Sequence, residues 1–244
     1  MASPLNYIKT SNNIWPDSET RVLHKKFINK HWKQVNINKQ EPITDIDPQN
    51  RSNQQSLDID WDIQSATHLL KRTVTGPNLE EVNALINNGM ETSIQGLLAD
   101  QELPSPPGAW VDEELPDWSS LSSDERQAII QTYYNRMRAF QKWWANRLMI
   151  GGLNITEVMT LFWHSYFASA YSKVFYPQAM YQQNNIFRTF CMGNFKNLLR
   201  QVTFGPAMMI WLDISGSKKQ APNENFAREL MELFTLGVDN YSQS

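Results

Sequence analysis

Residues 221–237 read APNENFARELMELFTLG and combine a polar stripe with an apolar one. At about 100° per residue, these side chains separate onto opposite sides of a single helix. The polar side carries Glu224, Asn225, Arg228, Glu229 and Glu232, and the apolar side carries Phe226, Leu230, Leu233 and Phe234. Pro222 suits the first turn, and Gly237 suits the position just past the end. The stretch therefore predicts an amphipathic helix.

The same helical periodicity continues through the chain upstream of this stretch. Further helices are predicted at about 62–73, 78–89, 89–100, 122–150, 154–171, 178–203 and 206–213. Two of the predicted helix starts have the spacing of a capping box: Asn78 with Glu81, and Ser122 with Glu125. Prolines break up residues 101–120, which are predicted to form a linker. Because no long stretch alternates like a strand, the sequence predicts an all-α, multi-helix domain.

The N-terminal part of the chain has a different composition. It is polar and rich in Asn and Gln, most clearly in residues 48–56, PQNRSNQQS. Such a stretch buries too little apolar surface to offset the entropy lost on ordering. We therefore predict a long, mostly disordered polar tail over residues 1–58 and a helical domain over residues 59–244.

Composition excludes several classes of protein. A net charge of -3 and a pI near 5.8 give no overall attraction to nucleic acid or anionic lipid. No segment has the roughly 18 uninterrupted apolar residues of a membrane span, and the N-terminus lacks the apolar core of a signal peptide. The default expectation is a cytoplasmic protein.

The single Cys191 excludes an intrachain disulfide, and its apolar neighbours predict a buried, inert thiol.

Residues 157–169, EVMTLFWHSYFAS, are apolar almost all round. A helix of this kind is buried on most sides, so His164 is expected in the interior. A buried imidazole needs a hydrogen-bond partner, and two roles stay open: a satisfied core histidine, or a ligand or acid–base group. Glu157 lies two turns away on the same face, about 10 Å, which is too far for both to bind one small metal ion unaided.

The polar stripe of residues 224–232 also has two interpretations. Arg228 is spaced i,i+4 from both Glu224 and Glu232, as on an ordinary solvated face. Glu229 and Glu232, at i and i+3, are alternatively spaced to reach one ion. His68 also has two interpretations: it is either solvated, or it caps a helix, pairs with an acidic residue or acts as a ligand.

Three blocks carry a resemblance to a known family. They are residues 68–77, HLLKRTVTGP, residues 159–164, MTLFWH, and residues 222–233, PNENFARELMEL. Together they resemble the bacterial family catalogued as domain of unknown function 1800, over about residues 60–244. The resemblance implies no established activity. It does imply that the helical domain is the N-terminal half of a longer one, that the missing C-terminal half is a partner, and that many relatives are exported.

Three positions depart from the family pattern. Tyr166 and Phe234 stand where histidines are usual, and Thr75 stands where an aromatic residue is usual. Loss of both histidines removes two natural metal ligands.

The leading functional hypothesis is a polar pocket that is catalytic or binds a divalent metal, with hydrolysis as the reaction class. Glu229 or His164 would serve as base or ligand, and Arg228 would hold an anionic group. The metal candidates are Glu157, His164, Glu229 and Glu232, the catalytic candidates are His164, Arg228, Glu229 and Glu232, and the other pocket residues are His68, Asp213, Asn223, Glu224 and Asn225.

Two alternatives stay open. In the first, the protein is a structural or cell-surface interaction module, and the same polar residues form a buried ion-pair network that sets helix register. In the second, the chain is a truncated, nonfunctional remnant that exposes apolar surface meant for its missing half.

Overall fold

The computed structural model describes residues 60–214, 217–218, 220, 222–237 and 240. Within these residues there is no β-strand, which confirms the all-α prediction. The predicted tail, residues 1–58, lies outside the described residues. The α-helices in chain order are α1 (Ile63–Thr73), α2 (Leu79–Asn88), α3 (Met90–Leu98), α4 (Ser123–Ile150), α5 (Thr156–Tyr166), α6 (Tyr171–Val174), α7 (Pro177–Phe190), α8 (Phe195–Thr203), α9 (Pro206–Trp211) and α10 (Glu224–Glu232).

Both predicted capping boxes form. The Asn78 side chain accepts a hydrogen bond from the Glu81 backbone N–H at 2.9 Å, and the Glu81 carboxylate accepts one from the Asn78 N–H at 2.8 Å. Ser122 and Glu125 make the same reciprocal pair at the start of α4. These local signals are readable in the sequence because both partners lie within one turn of the helix.

Helix α7 is the centre of the domain. It contacts α4, α5, α6, α8 and α9, and most of its side chains are buried. One hydrophobic cluster joins α7 to α4, α6 and α9, and a second joins it to α5, α8, α9 and α10. Helices α1, α2 and α3 enclose a third cluster.

Two of the helices predicted before α10 have clearly different bounds in the structure. The predicted helix at 178–203 is wrong, because Gly193 and Asn194 divide it into α7 and α8, and Asn194 caps α8 by accepting from the N–H groups of Lys196 and Asn197. The helix predicted to run to about residue 171 ends at Tyr166. At the start of this helix, the Asn154 side chain accepts a hydrogen bond from the Thr156 N–H, while the Glu157 carboxylate turns inward to Arg188.

Residues 101–120 are not a simple linker. They contain a short 3-10 turn, Ala109–Asp112, and bury Val111, Leu115 and Trp118. Leu115 and Trp118 belong to the hydrophobic cluster that joins α7 to α4, α6 and α9. The linker prediction was wrong because prolines prevent regular helix without preventing apolar burial.

Helix α10 is shorter than residues 221–237 predict. Asn223 is its N-cap, so Pro222 lies outside the helix, and the helix ends at Glu232, five residues before Gly237. Phe226 and Leu230 pack on the second cluster and Phe234 is buried in it, as the apolar stripe predicts. Leu233 differs, because it follows the last helical residue and is exposed.

Candidate functional site

A buried ion pair joins α5 to α7. Glu157 is 7% exposed and Arg188 is 4% exposed. Arg188 donates from Nε to Glu157 Oε1 at 2.8 Å and from Nη2 to Oε2 at 2.9 Å. This two-pronged geometry is the strong form of a carboxylate–guanidinium contact. Trp144 of α4 also donates to Oε2, at 3.2 Å, so the carboxylate links three helices.

A second guanidinium group lies beside the same carboxylate. Arg147 of α4 places Nε 3.8 Å from Glu157 Oε1, within ion-pair range and beyond hydrogen-bonding distance. The Arg188 guanidinium carbon lies 5.1 Å from the centroid of the Trp143 ring, so one face of that cation contacts an aromatic ring. The centre therefore holds two cationic groups and one anionic group.

The turn between α4 and α5 gives this centre its shape. Asn154 donates to the Ala99 carbonyl at 2.8 Å and accepts from Thr156 N–H at 2.9 Å, which fixes the start of α5 against the end of α3. A cavity of about 90 Å³ lies on one side, against the turn at 74–76. A smaller cavity of about 10 Å³ lies on the other side, against residues 101–104. Glu157 lines both cavities.

His164 lies among aromatic rings. Its ring is edge-on to Trp144 at 5.1 Å and to Phe187 at 5.9 Å between centroids. Its Nδ1 is buried and has no hydrogen-bond partner among the described residues. Burial lowers the pKa of His164 because the charged imidazolium loses hydration there. A neutral imidazole is therefore favoured at neutral pH.

Arg228, in the polar stripe of α10, makes contacts within its own helix. Arg228 donates to the Asn225 side chain at 2.7 Å and lies 3.7 Å from Glu229. Glu224, Asn225 and Arg228 are exposed, whereas Glu229 and Glu232 are half-buried. The structure thus groups Glu157 with residues of α4 and α7, and it groups Asn225, Arg228 and Glu229 with one another.

The remaining predicted pocket residues are dispersed. Asn223 caps α10 by accepting from Phe226 N–H and donates to the Leu212 carbonyl. Asp213 is exposed and pairs with Lys173 at 2.7 Å. His68 is exposed on α1.

No three His, Cys, Asp or Glu side chains are gathered for a metal ion in the part of the chain that the structure describes. Metal binding therefore stays a prediction.

Tyr166 and Phe234, the two positions where the family resemblance implies histidines, are neighbours. The Tyr166 hydroxyl donates to the Phe234 carbonyl at 3.1 Å, and the ring centroids lie 6.4 Å apart. An aromatic contact and a hydrogen bond tie the end of α5 to the turn after α10 at this point.

Sequence reasoning missed Arg147, Arg188 and Trp144. One signal was present: Arg188 is the one formally charged residue of α7, and it lies between Phe187 and Phe190 in an otherwise buried helix. A charge in such a setting requires a partner. The sequence instead predicts its partner, Glu157, to be a metal candidate with His164, Glu229 and Glu232.

Cys191 is buried, as predicted, at the end of α7. Burial raises the pKa of its thiol to about 11. Because the thiolate is the reactive form, the site favours an inert thiol.

A family model described as "Protein of unknown function (DUF1800)" matches residues 68–244. The chain belongs to this family. Comparisons with curated proteins and with solved structures find no match. None of the helices that the structure describes is long and apolar enough to cross a membrane.

Proposed function

We propose that the protein is a structural interaction module that associates with a second copy of itself through an exposed aromatic face. Phe162 and Tyr166 on α5 and Phe195 at the start of α8 form this aromatic face. Phe162 is 51% exposed, and the other two are each 40% exposed. That exposure is the observation that carries the proposal.

The exposed rings are contiguous. The Phe162 and Tyr166 rings stack with centroids 6.3 Å apart, and the Tyr166 and Phe195 centroids are 6.5 Å apart. Leu233 and Leu236 are also exposed on either side of Phe234, which contacts Tyr166. Single exposed apolar residues are ordinary on protein surfaces, whereas contiguous groups of them mark interaction sites.

The chemistry of the aromatic face suits a second copy. None of its three side chains is charged, so two copies can meet across a two-fold axis without like-charge repulsion between them. Exposed rings can then form offset or edge-to-face pairs, which contribute beyond the area they bury.

The aromatic face rests on a rigid base. Trp163, next to Phe162, donates from its indole to the Cys191 carbonyl at 2.9 Å. Tyr166 is held by its hydrogen bond to Phe234. The Glu157–Arg188 pair fastens the same helix to α7. A surface ordered in advance loses less conformational entropy on association.

The test is sedimentation velocity over a range of micromolar concentrations. We expect a monomer–dimer equilibrium whose dissociation constant rises about tenfold or more in Phe162→Ser and Phe195→Ser. Leu79→Ser is the matched control, because Leu79 is 66% exposed on α2 and is not part of the aromatic face. A wild-type protein that stays monomeric throughout, or a control that weakens the dimer equally, would refute the proposal. Aggregation together with binding of ANS, a dye that reports exposed apolar surface, would instead support the alternative of a truncated remnant.

A second candidate function is the polar, hydrolytic or metal-binding pocket. Glu229 and Glu232 support it, because these carboxylates, one turn apart, are less exposed than Asn225 and Arg228 on the same helix. The test is the metal content of the purified, folded protein by mass spectrometry, beside His164→Ala and Glu229→Gln. Stoichiometric metal that is lost in the variants would support the pocket. Wild-type protein without metal after incubation with zinc or manganese would refute its metal-binding form.

A further inference from the structure

A proline-rich segment, residues 101–107, lies against α4 and α7 and is here called the proline strap. Pro104 borders the same small cavity as Arg147 of α4 and Arg188 of α7. The 3-10 turn that follows the proline strap contacts α7 as well. The chain therefore places its own proline-rich segment on a surface that these two helices share.

The sequence of the proline strap favours an extended backbone of the polyproline type. Residues 103–107 read LPSPP. Each proline fixes its own φ at about −65°, and a proline also keeps the residue before it out of the helical region. Leu103, Ser105 and Pro106 each precede a proline, and residues 101–106 form neither helix nor strand. A segment of this kind is extended before it binds, so its docking costs little conformational entropy.

The proline strap is bonded to an aromatic surface. Trp143 of α4 lies 5.7 Å from Tyr181 of α7 and 6.1 Å from Phe140, between ring centroids. These three rings are here called the Trp143 surface. The Trp143 indole donates a hydrogen bond to the Ser105 carbonyl at 2.9 Å. Proline has a carbonyl and no N–H, so an indole donor beside aromatic rings matches the chemistry of a proline-rich segment.

Few bonds hold the proline strap in place. Within the part of the chain that the structure describes, the bond from Trp143 to Ser105 is its one hydrogen bond. Leu103 is 46% exposed, and Ser105 and Pro106 are also exposed. The chain is anchored more firmly further on, where Val111 is 3% exposed. Segments with few buried contacts and exposed hydrogen bonds open locally, so the proline strap can lift while the residues after it stay docked.

We infer that the Trp143 surface is a docking site for a proline-rich segment of another protein, and that the proline strap occupies this site as an internal competitor. The partner segment is extended, carries prolines at the spacing of Pro104 and Pro107, and presents a carbonyl between them to the Trp143 indole. Because the proline strap is tethered beside the site, its effective concentration is high. An external segment therefore binds with an affinity reduced by the fraction of molecules in which the strap is open.

The experiment measures the binding of a fluorescein-labelled peptide, QELPSPPG, which has the sequence of residues 101–108. Fluorescence anisotropy is followed as wild-type full chain or the double variant Pro104→Ala/Pro107→Ala is added. Alanine has more conformational freedom to lose than proline, so the double variant holds its own strap less firmly. We expect the peptide to bind the double variant about tenfold more tightly than wild type. A peptide with alanine in place of its three prolines should bind at least about tenfold more weakly.

Two tryptophan variants, each made in the double variant, test the indole donor. Trp143→Phe keeps an aromatic ring and removes the N–H group, and it should weaken peptide binding about tenfold. Trp61→Phe is the matched control, because it removes a similar bond, from the Trp61 indole to the Leu85 carbonyl, within the third hydrophobic cluster. It should leave the affinity for the peptide unchanged.

Three results would overturn the inference: no binding of the peptide to the double variant, equal binding of the alanine peptide, or an equal loss in the two tryptophan variants. Should Trp143→Phe fail to fold, the comparison of the two peptides decides. Sedimentation velocity of the wild type and of Trp143→Phe in the wild-type background tests the other occupant. Dimers that Trp143→Phe abolishes and Phe162→Ser does not would assign the Trp143 surface to the proline strap of a second copy, and would overturn its assignment to another protein.

Discussion

Glu157 and Arg188 are 31 residues apart in sequence and meet through two hydrogen bonds of 2.8 and 2.9 Å in the interior of the domain. Their contact crosses the α5–α7 interface and is extended to α4 by the indole of Trp144. The pair is the most enclosed charged contact in the described part of the chain. It accounts for why a nearly apolar helix tolerates a glutamate and why the central helix tolerates an arginine.

Replacement of Glu157 by glutamine should destabilise the protein strongly. The change leaves Arg188 buried with no anionic partner, so we expect a loss of about 3–5 kcal/mol in the free energy of unfolding. Urea denaturation followed by circular dichroism measures it. Glu113→Gln is the control, since Glu113 is an exposed partner of Arg136 and its loss should cost less than about 1 kcal/mol. Similar losses in the two variants would contradict a special role for the buried pair.

The burial of His164 predicts that the stability of the protein depends on pH. Its pKa is lower in the folded protein than the usual 6.5, because burial disfavours the charged ring. The unfolded state therefore binds a proton first, and the stabilisation from the neutral ring is complete above pH 6.5 and is lost as the pH falls through the folded-state pKa. We expect the unfolding free energy of wild type to fall relative to that of His164→Gln between pH 7.5 and pH 5. Parallel profiles for the two proteins would rule this out.

Cys191 should react slowly in the folded protein. Burial both shields the sulfur and raises the thiol pKa to about 11, so little thiolate is present at pH 8. Labelling with a thiol-specific disulfide reagent is expected to be about a hundredfold slower than in urea-unfolded protein. Fast labelling under native conditions would show that this end of α7 opens readily.

Asn223 and Asn225 were both candidate pocket residues, and their contacts predict opposite outcomes. Asn223 caps α10 and donates to the Leu212 carbonyl, so Asn223→Ala should cost about 1–2 kcal/mol of stability. Asn225 is exposed and accepts a hydrogen bond from Arg228, so Asn225→Ala should change stability by less than about 0.5 kcal/mol. Chemical denaturation of the two variants makes the comparison. Equal effects would mean that the cap contributes little.

The local features of the fold could be predicted because they depend on neighbours in sequence. The capping boxes at Asn78 and Ser122 join residues within one turn, and the bounds of α4 follow from its cap and the glycines after it. The break between α7 and α8 at Gly193 and Asn194 also depends on a local signal, because Asn194 caps α8. The prediction missed this break because helical periodicity continues on both sides of it. The buried segment around Trp118 gave no periodic pattern at all.

The pattern of the chain alone was sufficient for the all-α class, most helix starts and the family, because each rests on periodicity or on motifs read in order. Tertiary packing decided which charges meet. Glu157 faces Arg188 instead of a residue of α10, since α7 lies between the two large hydrophobic clusters and brings its single arginine to the start of α5. That pairing depends on how whole helices dock, and no spacing within either helix encodes it.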